Sequence, residues 1–104
     1  MSIVSVYAVF ADAEEAERIG RTMVEERLAA CVNILGKIRS IYRWQRAVES
    51  ADEVAAIFKT ERAQVDGLIT RIAALHSYDV PCVVSWPIDK ITGDYASWVE
   101  DSVG

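Results

Sequence analysis

The segment Cys31–Trp44 constrains the fold of this chain most, because its pattern predicts one strand of unusual length. Val32 and Ile34 alternate with a polar residue, and Gly36 then interrupts the alternation as a β-bulge or bend would. Fully extended, the segment would span about 46 Å at ~3.3 Å per residue, whereas a chain of this length has a radius of gyration of about 13 Å. The strand must therefore bend at Gly36 or project beyond its own core.

The part of this hairpin beyond Gly36, which we call the arm, carries large apolar side chains. Ile41, Tyr42 and Trp44 would face water if the arm projected alone. Exposed apolar surface of this kind marks an interaction site, and a second copy of the chain is the simplest partner. We therefore predict a homo-oligomer that covers the arm.

The remaining pattern predicts an α/β (α+β) fold in a single domain over residues 1–104. The predicted elements are a strand over Ile3–Phe10, a helix capped by Asp12, the long strand, a turn over 45–50, a strand over 52–59, a helix capped by Thr60, a strand over 82–86 and a short helix from near Asp94. This order indicates a ferredoxin-like βαββαβ sandwich with an antiparallel sheet, a long hairpin of the second and third strands, and a C-terminal helix.

Such a sandwich packs both helices on one face of the sheet and leaves the other face bare. By strand alternation, Ile3, Tyr7 and Val9 point to the bare face. Their apolar character again predicts a covering partner.

Charge and composition exclude several classes of partner. Lys and Arg number 11 against 16 Asp and Glu, a net charge of −5, which repels nucleic acid and anionic membranes. No apolar run approaches the roughly 20 residues that span a bilayer, and no signal-peptide pattern opens the chain. Cys31 and Cys82 form no CxxC motif and are typical of reduced, buried thiols. We therefore expect a cytoplasmic protein without nucleic-acid or membrane partners.

No catalytic constellation is apparent, so we predict that the protein is not an enzyme and requires no cofactor. The common nucleotide-binding glycine motifs are absent. Only Ser77 lies beside the single histidine, and adjacent residues seldom form a nucleophile–base pair. The acids are spread along predicted surfaces, so Glu49 and Glu53 are expected to be solvated.

His76, the only histidine, is the candidate metal ligand. Its place near the end of the second helix also suits a helix cap or a polar group in a cleft between subunits. A lone histidine cannot complete a transition-metal site within one chain, so a metal would need groups from symmetry-related chains, or Asp79 together with a carboxylate of a partner chain.

Lys59, Tyr95 and Trp98 are candidates for a small-molecule cleft between subunits. Lys59, at the end of a strand, suits a small anion or a salt bridge, and the two aromatic residues suit either core anchors or the walls of such a cleft.

Several motifs, in order along nearly the whole chain, resemble those of one known family. They are Ala29-Ala30-Cys31-Val32-Asn33-Ile34, Ser40-Ile41-Tyr42-Arg43-Trp44, Glu53 through Phe58-Lys59-Thr60, His76-x-Tyr78-x-Val80-Pro81 and Tyr95-x-x-Trp98. Together they resemble CutA, the divalent-cation-tolerance proteins. The resemblance implies a ferredoxin-like protomer, a homotrimer of PII-like architecture, and a cytoplasmic role in copper tolerance without an established reaction.

Four positions depart from the family pattern. Arg46 stands where the family usually has glycine, and Ser77 replaces a proline. Copper-binding members look as if they use a cysteine in the first strand and a pair of adjacent histidines. In this chain Ala8 stands at the place of the cysteine and Leu75 at the place of one histidine, so that only His76 matches.

Two functional hypotheses follow. The first is a non-enzymatic trimer linked to divalent-cation tolerance, with copper or another divalent metal at His76. It predicts that His76→Ala loses metal affinity. The alternative is a PII-like sensor or binding module that holds a small anion in a cleft between subunits.

Overall fold

A four-stranded antiparallel sheet in the order β2-β3-β1-β4 organises the computed structural model, which describes residues 2–104. The strands are β1 (Ile3–Phe10), β2 (Cys31–Trp44), β3 (Ala47–Glu61) and β4 (Val83–Pro87), and the helices are α1 (Ala13–Glu25), α2 (Val65–Leu75) and α3 (Gly93–Ser102). The predicted fold class and element order are confirmed. Pro87 ends β4 at an edge of the sheet, where a missing backbone donor is tolerated.

Helix α1 forms where its capping pattern predicted. Asp12 Oδ1 accepts a hydrogen bond from the Glu15 amide at 2.8 Å, satisfying one free donor of the first turn. The helix then buries Ile19 and Met23 against the sheet. Gly20 permits close approach to β2, because a Cβ there would lie 3.0 Å from Val32 Cγ1.

The hairpin of β2 and β3 is longer than the sequence pattern indicated. The predicted turn over 45–50 is wrong, since only Gln45 and Arg46 form the turn and β3 begins at Ala47 rather than Asp52. Both turn residues have positive φ, 47° and 72°, which suits a tight two-residue hairpin and lets pairing start at once. Polar residues follow in β3 because both faces of the arm are open to water.

The predicted bulge is present. The register of β2 against β3 shifts between Ile34 and Gly36, and Gly36 has a φ of 103°, which favours glycine. The molecule nevertheless measures 45 Å along its longest axis, against 25 and 22 Å across. The arm therefore projects from the core, which is one of the two outcomes that the length argument allowed.

The predicted cap of the second helix is wrong. Thr60 is fully buried within β3, and its Oγ1 donates a hydrogen bond to Leu28 O at 2.7 Å. Pairing of β3 with β1 continues to Glu61, so the helix starts only after a 3-10 turn over Arg62–Gln64. The hydroxyl that suits a cap joins the α1–β2 connection to the sheet instead.

The core lies between the sheet and helices α1 and α2. Apolar residues from both the sheet and the helices, including Phe10, Phe58 and Ile72, are fully buried there. A second, smaller cluster forms on the opposite face, where Val99 of α3 packs with Ile3 and Ala30. Helix α3 thus covers one end of the face that the topology alone leaves bare.

The prediction of a bare face needs correction at two positions. Ile3 is buried because α3 packs over it, and Val9 is buried at the floor of a groove. Tyr7 is half-buried and lies beside Trp86, with ring centroids 6.0 Å apart.

None of the helices within residues 2–104 has the length and apolar character that crossing a membrane requires.

Candidate functional site

His76 lies at the C-cap of α2, where the sequence placed it, but its ring does not cap the helix. The ring is buried and stacks on Phe10, with centroids 5.2 Å apart and planes 10° from parallel. Its Nε2 lies 2.7 Å from Val9 O, and its Nδ1 lies 3.1 Å from the Tyr78 amide nitrogen. Nε2 therefore bonds to the backbone of β1, and Nδ1 bonds to the backbone of the loop that follows His76.

The partners of His76 assign its tautomer. An amide N–H can only donate, so Nδ1 accepts from Tyr78, and a carbonyl can only accept, so Nε2 carries the proton and donates to Val9. Neither nitrogen retains a free lone pair for a metal ion.

Glu15 completes this buried network. Its Oε1 accepts from the Ala11 amide and its Oε2 from the Ser77 amide, both at 2.9 Å, and Oε1 lies 3.9 Å from His76 Nε2. Burial alone would raise the pKa of Glu15, but the hydrogen bonds from Ala11 and Ser77 outweigh it and hold the pKa below its ordinary value. The network joins the start of α1 to the loop that follows α2.

The described residues do not fit a metal ion within one chain. No group of three or more His, Cys, Asp and Glu side chains in residues 2–104 is arranged to hold one, and a transition metal usually takes at least three protein ligands. Binding at His76 would also require breaking its bond with Tyr78. The metal role of His76 stays a prediction, and the geometry of the single chain does not support it.

The structure brings the predicted cleft residues Lys59, Tyr95 and Trp98 to one region. Lys59 pairs with Cys31 across the β2–β3 ladder and donates from Nζ to Asn33 Oδ1 at 3.3 Å. The Tyr95 hydroxyl lies 3.3 Å from Cys31 Sγ, and its ring centroid lies 5.5 Å from that of Trp98. Burial and the bond with Cys31 raise the pKa of Tyr95 to about 12, so its hydroxyl stays neutral.

The arm exposes its apolar side chains as predicted. Ile41 is 74% exposed, and Tyr42 and Trp44 are also exposed. The sequence argument missed Val84 and Trp86 of β4, which are 47% and 44% exposed. Their alternation in the last strand was the signal, since both fall on the face away from α1 and α2.

A groove lies on the same open face, between the arm and the loop after α2. Its cavity volume is about 640 Å³. Glu53 lines it and is only 9% exposed, which corrects the expectation of a solvated carboxylate. Its Oε2 accepts a hydrogen bond from the Tyr78 hydroxyl at 2.8 Å. Burial and the adjacent Glu53 raise the pKa of Tyr78 to about 12.

The family of the chain is decided by comparison with known proteins. A family model described as CutA1 divalent ion tolerance protein matches residues 4–102. The chain belongs to the CutA1 family. Its resemblance to CutA is thereby confirmed over nearly its whole length.

Individual CutA proteins match more than nine-tenths of the chain. The divalent-cation tolerance protein CutA of Pyrococcus horikoshii is 39% identical over 97 residues, covering 93% of this chain and 94% of that protein. The solved structure of the Thermus thermophilus protein superposes with a TM-score of 0.94 at 38% identity, covering 98% of this chain and 99% of that one.

A third match bears on localisation. The Archaeoglobus fulgidus CutA structure, described as a periplasmic divalent cation tolerance protein, gives a TM-score of 0.95 at 34% identity, covering 98% of this chain and 99% of that one. Cytoplasmic localisation of the present CutA1 protein stays a prediction.

Proposed function

We propose that this CutA1 protein acts in divalent-cation tolerance as a non-enzymatic homotrimer in the cytoplasm. The observation that carries the proposal is the uncovered apolar surface on the arm and on β4. Ile41, Trp44, Val84 and Trp86 are each more than two-fifths exposed, and single chains rarely leave so much large apolar surface in water.

The edges of the sheet support the same proposal. Strands β2 and β4 are the two edges, and edge strands present unpaired backbone donors and acceptors that another chain can join. In a closed symmetric ring, the edge strands of every copy are paired in the same way. The homotrimer is the closed ring that the CutA resemblance implies.

Copper or another divalent ion is the proposed ligand of this function, held by groups from more than one chain. His76 alone does not account for the ion, because both of its ring nitrogens already form hydrogen bonds within the chain. A site on the threefold axis of a trimer would collect one ligand from each chain. Such a site takes one ion per three chains.

The experiment that tests the assembly is a mass measurement by light scattering across a range of protein concentrations. We expect three times the chain mass of 11.6 kDa, unchanged on dilution. A mass of one chain would overturn the proposal, and a mass of two chains would replace the trimer by a dimer.

A second candidate function is a PII-like binding module for a small anion. The observation that favours it is that Lys59 lies opposite Cys31 in the β2–β3 ladder, while the Tyr95 hydroxyl contacts Cys31 and the Tyr95 ring lies beside the exposed Trp98. A lysine ammonium in the same region as a tyrosine and an exposed tryptophan suits an anionic, partly apolar ligand.

Lys59→Ala tests this module. Citrate and inorganic phosphate are expected to raise the melting temperature of the native protein by a few degrees and to leave that of Lys59→Ala unchanged, because the variant lacks the cation. Lys90→Ala removes an exposed lysine elsewhere and serves as the control. Equal shifts in all three proteins would contradict the module.

A further inference from the structure

Arg27, in the connection between α1 and β2, has a backbone conformation that normally favours glycine. Its φ is 62°, in the left-handed region, where a side chain crowds the backbone. It directly follows Glu26, the C-cap of α1, at the position where helices commonly end on glycine. Strained residues of this kind cluster at clamps and switch regions, where the side chain serves a contact.

The Arg27 side chain clamps the end of α3, which lies more than seventy residues away in the chain. Its Nε donates to Gly104 O at 2.9 Å, and its Nη2 donates to Asp101 O at 3.0 Å. The Gly104 amide donates in return to Arg27 O at 3.0 Å. Both guanidinium bonds are exposed to water, and exposed bonds open more readily than buried ones.

Helix α3 has little stability of its own. It has ten residues, and isolated helices shorter than about 12 residues are marginal in water. Among the described residues, the side chain of its N-cap residue Thr92 caps no amide of the first turn. Its last turn carries Glu100 and Asp101 but no basic residue, so negative charge lies beside the negative end of the helix dipole. The guanidinium of Arg27 supplies positive charge and donors at this end.

The packing of α3 on the sheet is small and includes an unfavourable group. Val99 is its one fully buried residue, in a cluster with Ile3 and Ala30. Glu100 Oε2 is buried and has no hydrogen-bond partner within residues 2–104. A buried carboxylate oxygen without a donor costs free energy, which water would recover if the helix left the sheet. The closed position of α3 therefore depends strongly on the Arg27 clamp.

We propose that α3 is a latch that opens from the sheet as a unit and that the Arg27 clamp holds closed. This conformational device goes beyond the function proposed above. The closed latch places the Tyr95 hydroxyl 3.3 Å from Cys31 Sγ, so opening uncovers the thiol. Arg27 lies near the end of β2 opposite the arm, so the clamp does not use the arm surface that supports the proposed assembly.

Hydrogen exchange of the full chain, followed by mass spectrometry, tests the latch with Arg27→Gly. Glycine relieves the left-handed backbone and removes the clamp, so the variant separates the two roles of Arg27. We expect the amides of α3 to exchange at least about tenfold faster, because two charge-assisted bonds are lost. The amides of α2 should keep the native rate. Arg18→Ala removes an exposed arginine of α1 and should exchange like the native protein.

A variant with the opposite expected effect sharpens the test. Glu100→Gln removes the charge from the buried group and is expected to slow the exchange of α3 about threefold. Labelling of Cys31 by N-ethylmaleimide gives a second readout, measured with Cys82→Ser in every protein because Cys82 is also a free, exposed thiol. The labelling rate of Cys31 should follow the exchange rate of α3 in both variants.

Several results would overturn the latch. They are a native exchange rate of α3 in Arg27→Gly, an equal rise in α3 and α2, which marks a general loss of stability, and labelling of Cys31 that does not follow α3. If Arg27→Gly fails to fold, Arg27→Lys takes its place, since it keeps the charge without the planar fork. It is expected to speed the exchange of α3 by a smaller factor, and an unchanged rate there would equally contradict the clamp.

Discussion

Replacing His76 with alanine is expected to lower the free energy of unfolding by about 3 kcal/mol, the range for losing a buried ring and its hydrogen bonds. The change leaves the Val9 carbonyl and the Tyr78 amide without partners and opens a cavity beside Phe10. Urea unfolding at one fixed protein concentration measures the loss. Thr70→Ala, on the exposed face of α2, should change the free energy by less than about 0.5 kcal/mol.

The same variant separates the structural role of His76 from a metal role. Copper(II) and zinc(II) titrations by calorimetry are expected to give the same heats for the native protein and for His76→Ala, because neither ring nitrogen is free in the folded chain. If the variant is too unstable, His76→Gln retains a donor and an acceptor and takes its place. Metal affinity lost with little loss of stability would restore His76 as a ligand.

The double variant Ile41→Glu with Trp44→Glu is expected to convert the proposed trimer to single chains. Covering each apolar side chain contributes roughly 2 kcal/mol, and burying a carboxylate there adds a penalty. The dissociation constant of the trimer should therefore rise roughly a thousandfold or more, since each 1.4 kcal/mol of lost interface free energy raises it about tenfold. Light scattering on dilution should show 11.6 kDa where the native protein keeps its assembled mass.

The control for the arm variant is Thr70→Glu with Ala73→Glu, which adds the same two negative charges at exposed positions of α2, away from the open face of the sheet. Its mass should equal that of the native protein. An unchanged mass in the double variant would show that the arm is not an interface, and the assembly would then have to form through β4 alone.

Local patterns predicted much of the fold because each depends on neighbours in the chain. Alternation placed β1 and β2, Asp12 marked the start of α1, and Gly36 marked the bulge. Residues on the arm were less predictable. Polar β3 residues near Glu49 indicated a loop, yet they form a strand because pairing with β2 supplies their backbone hydrogen bonds without burial of side chains.

The candidate sites depend instead on contacts between residues that lie far apart in the chain. His76 was identified as chemically interesting from its type alone, but its partners Val9 and Glu15 lie about sixty residues away in the chain. Its tautomer and its lack of a free lone pair follow from the contact with Val9 together with the bond from the Tyr78 amide, and both depend on how the loop after α2 folds against β1. Glu53 likewise looked solvated until the sheet and the Tyr78 loop enclosed it.

By itself the sequence determined the strand and helix periods, the length of the arm and the exposure of Ile41, because these follow from side-chain order and backbone reach. Only the tertiary structure decided that α3 covers Ile3, that Thr60 bonds to Leu28, and that the groove around Glu53 exists. Burial and hydrogen bonding between distant segments depend on how the layers pack, and no local pattern records which residues will meet.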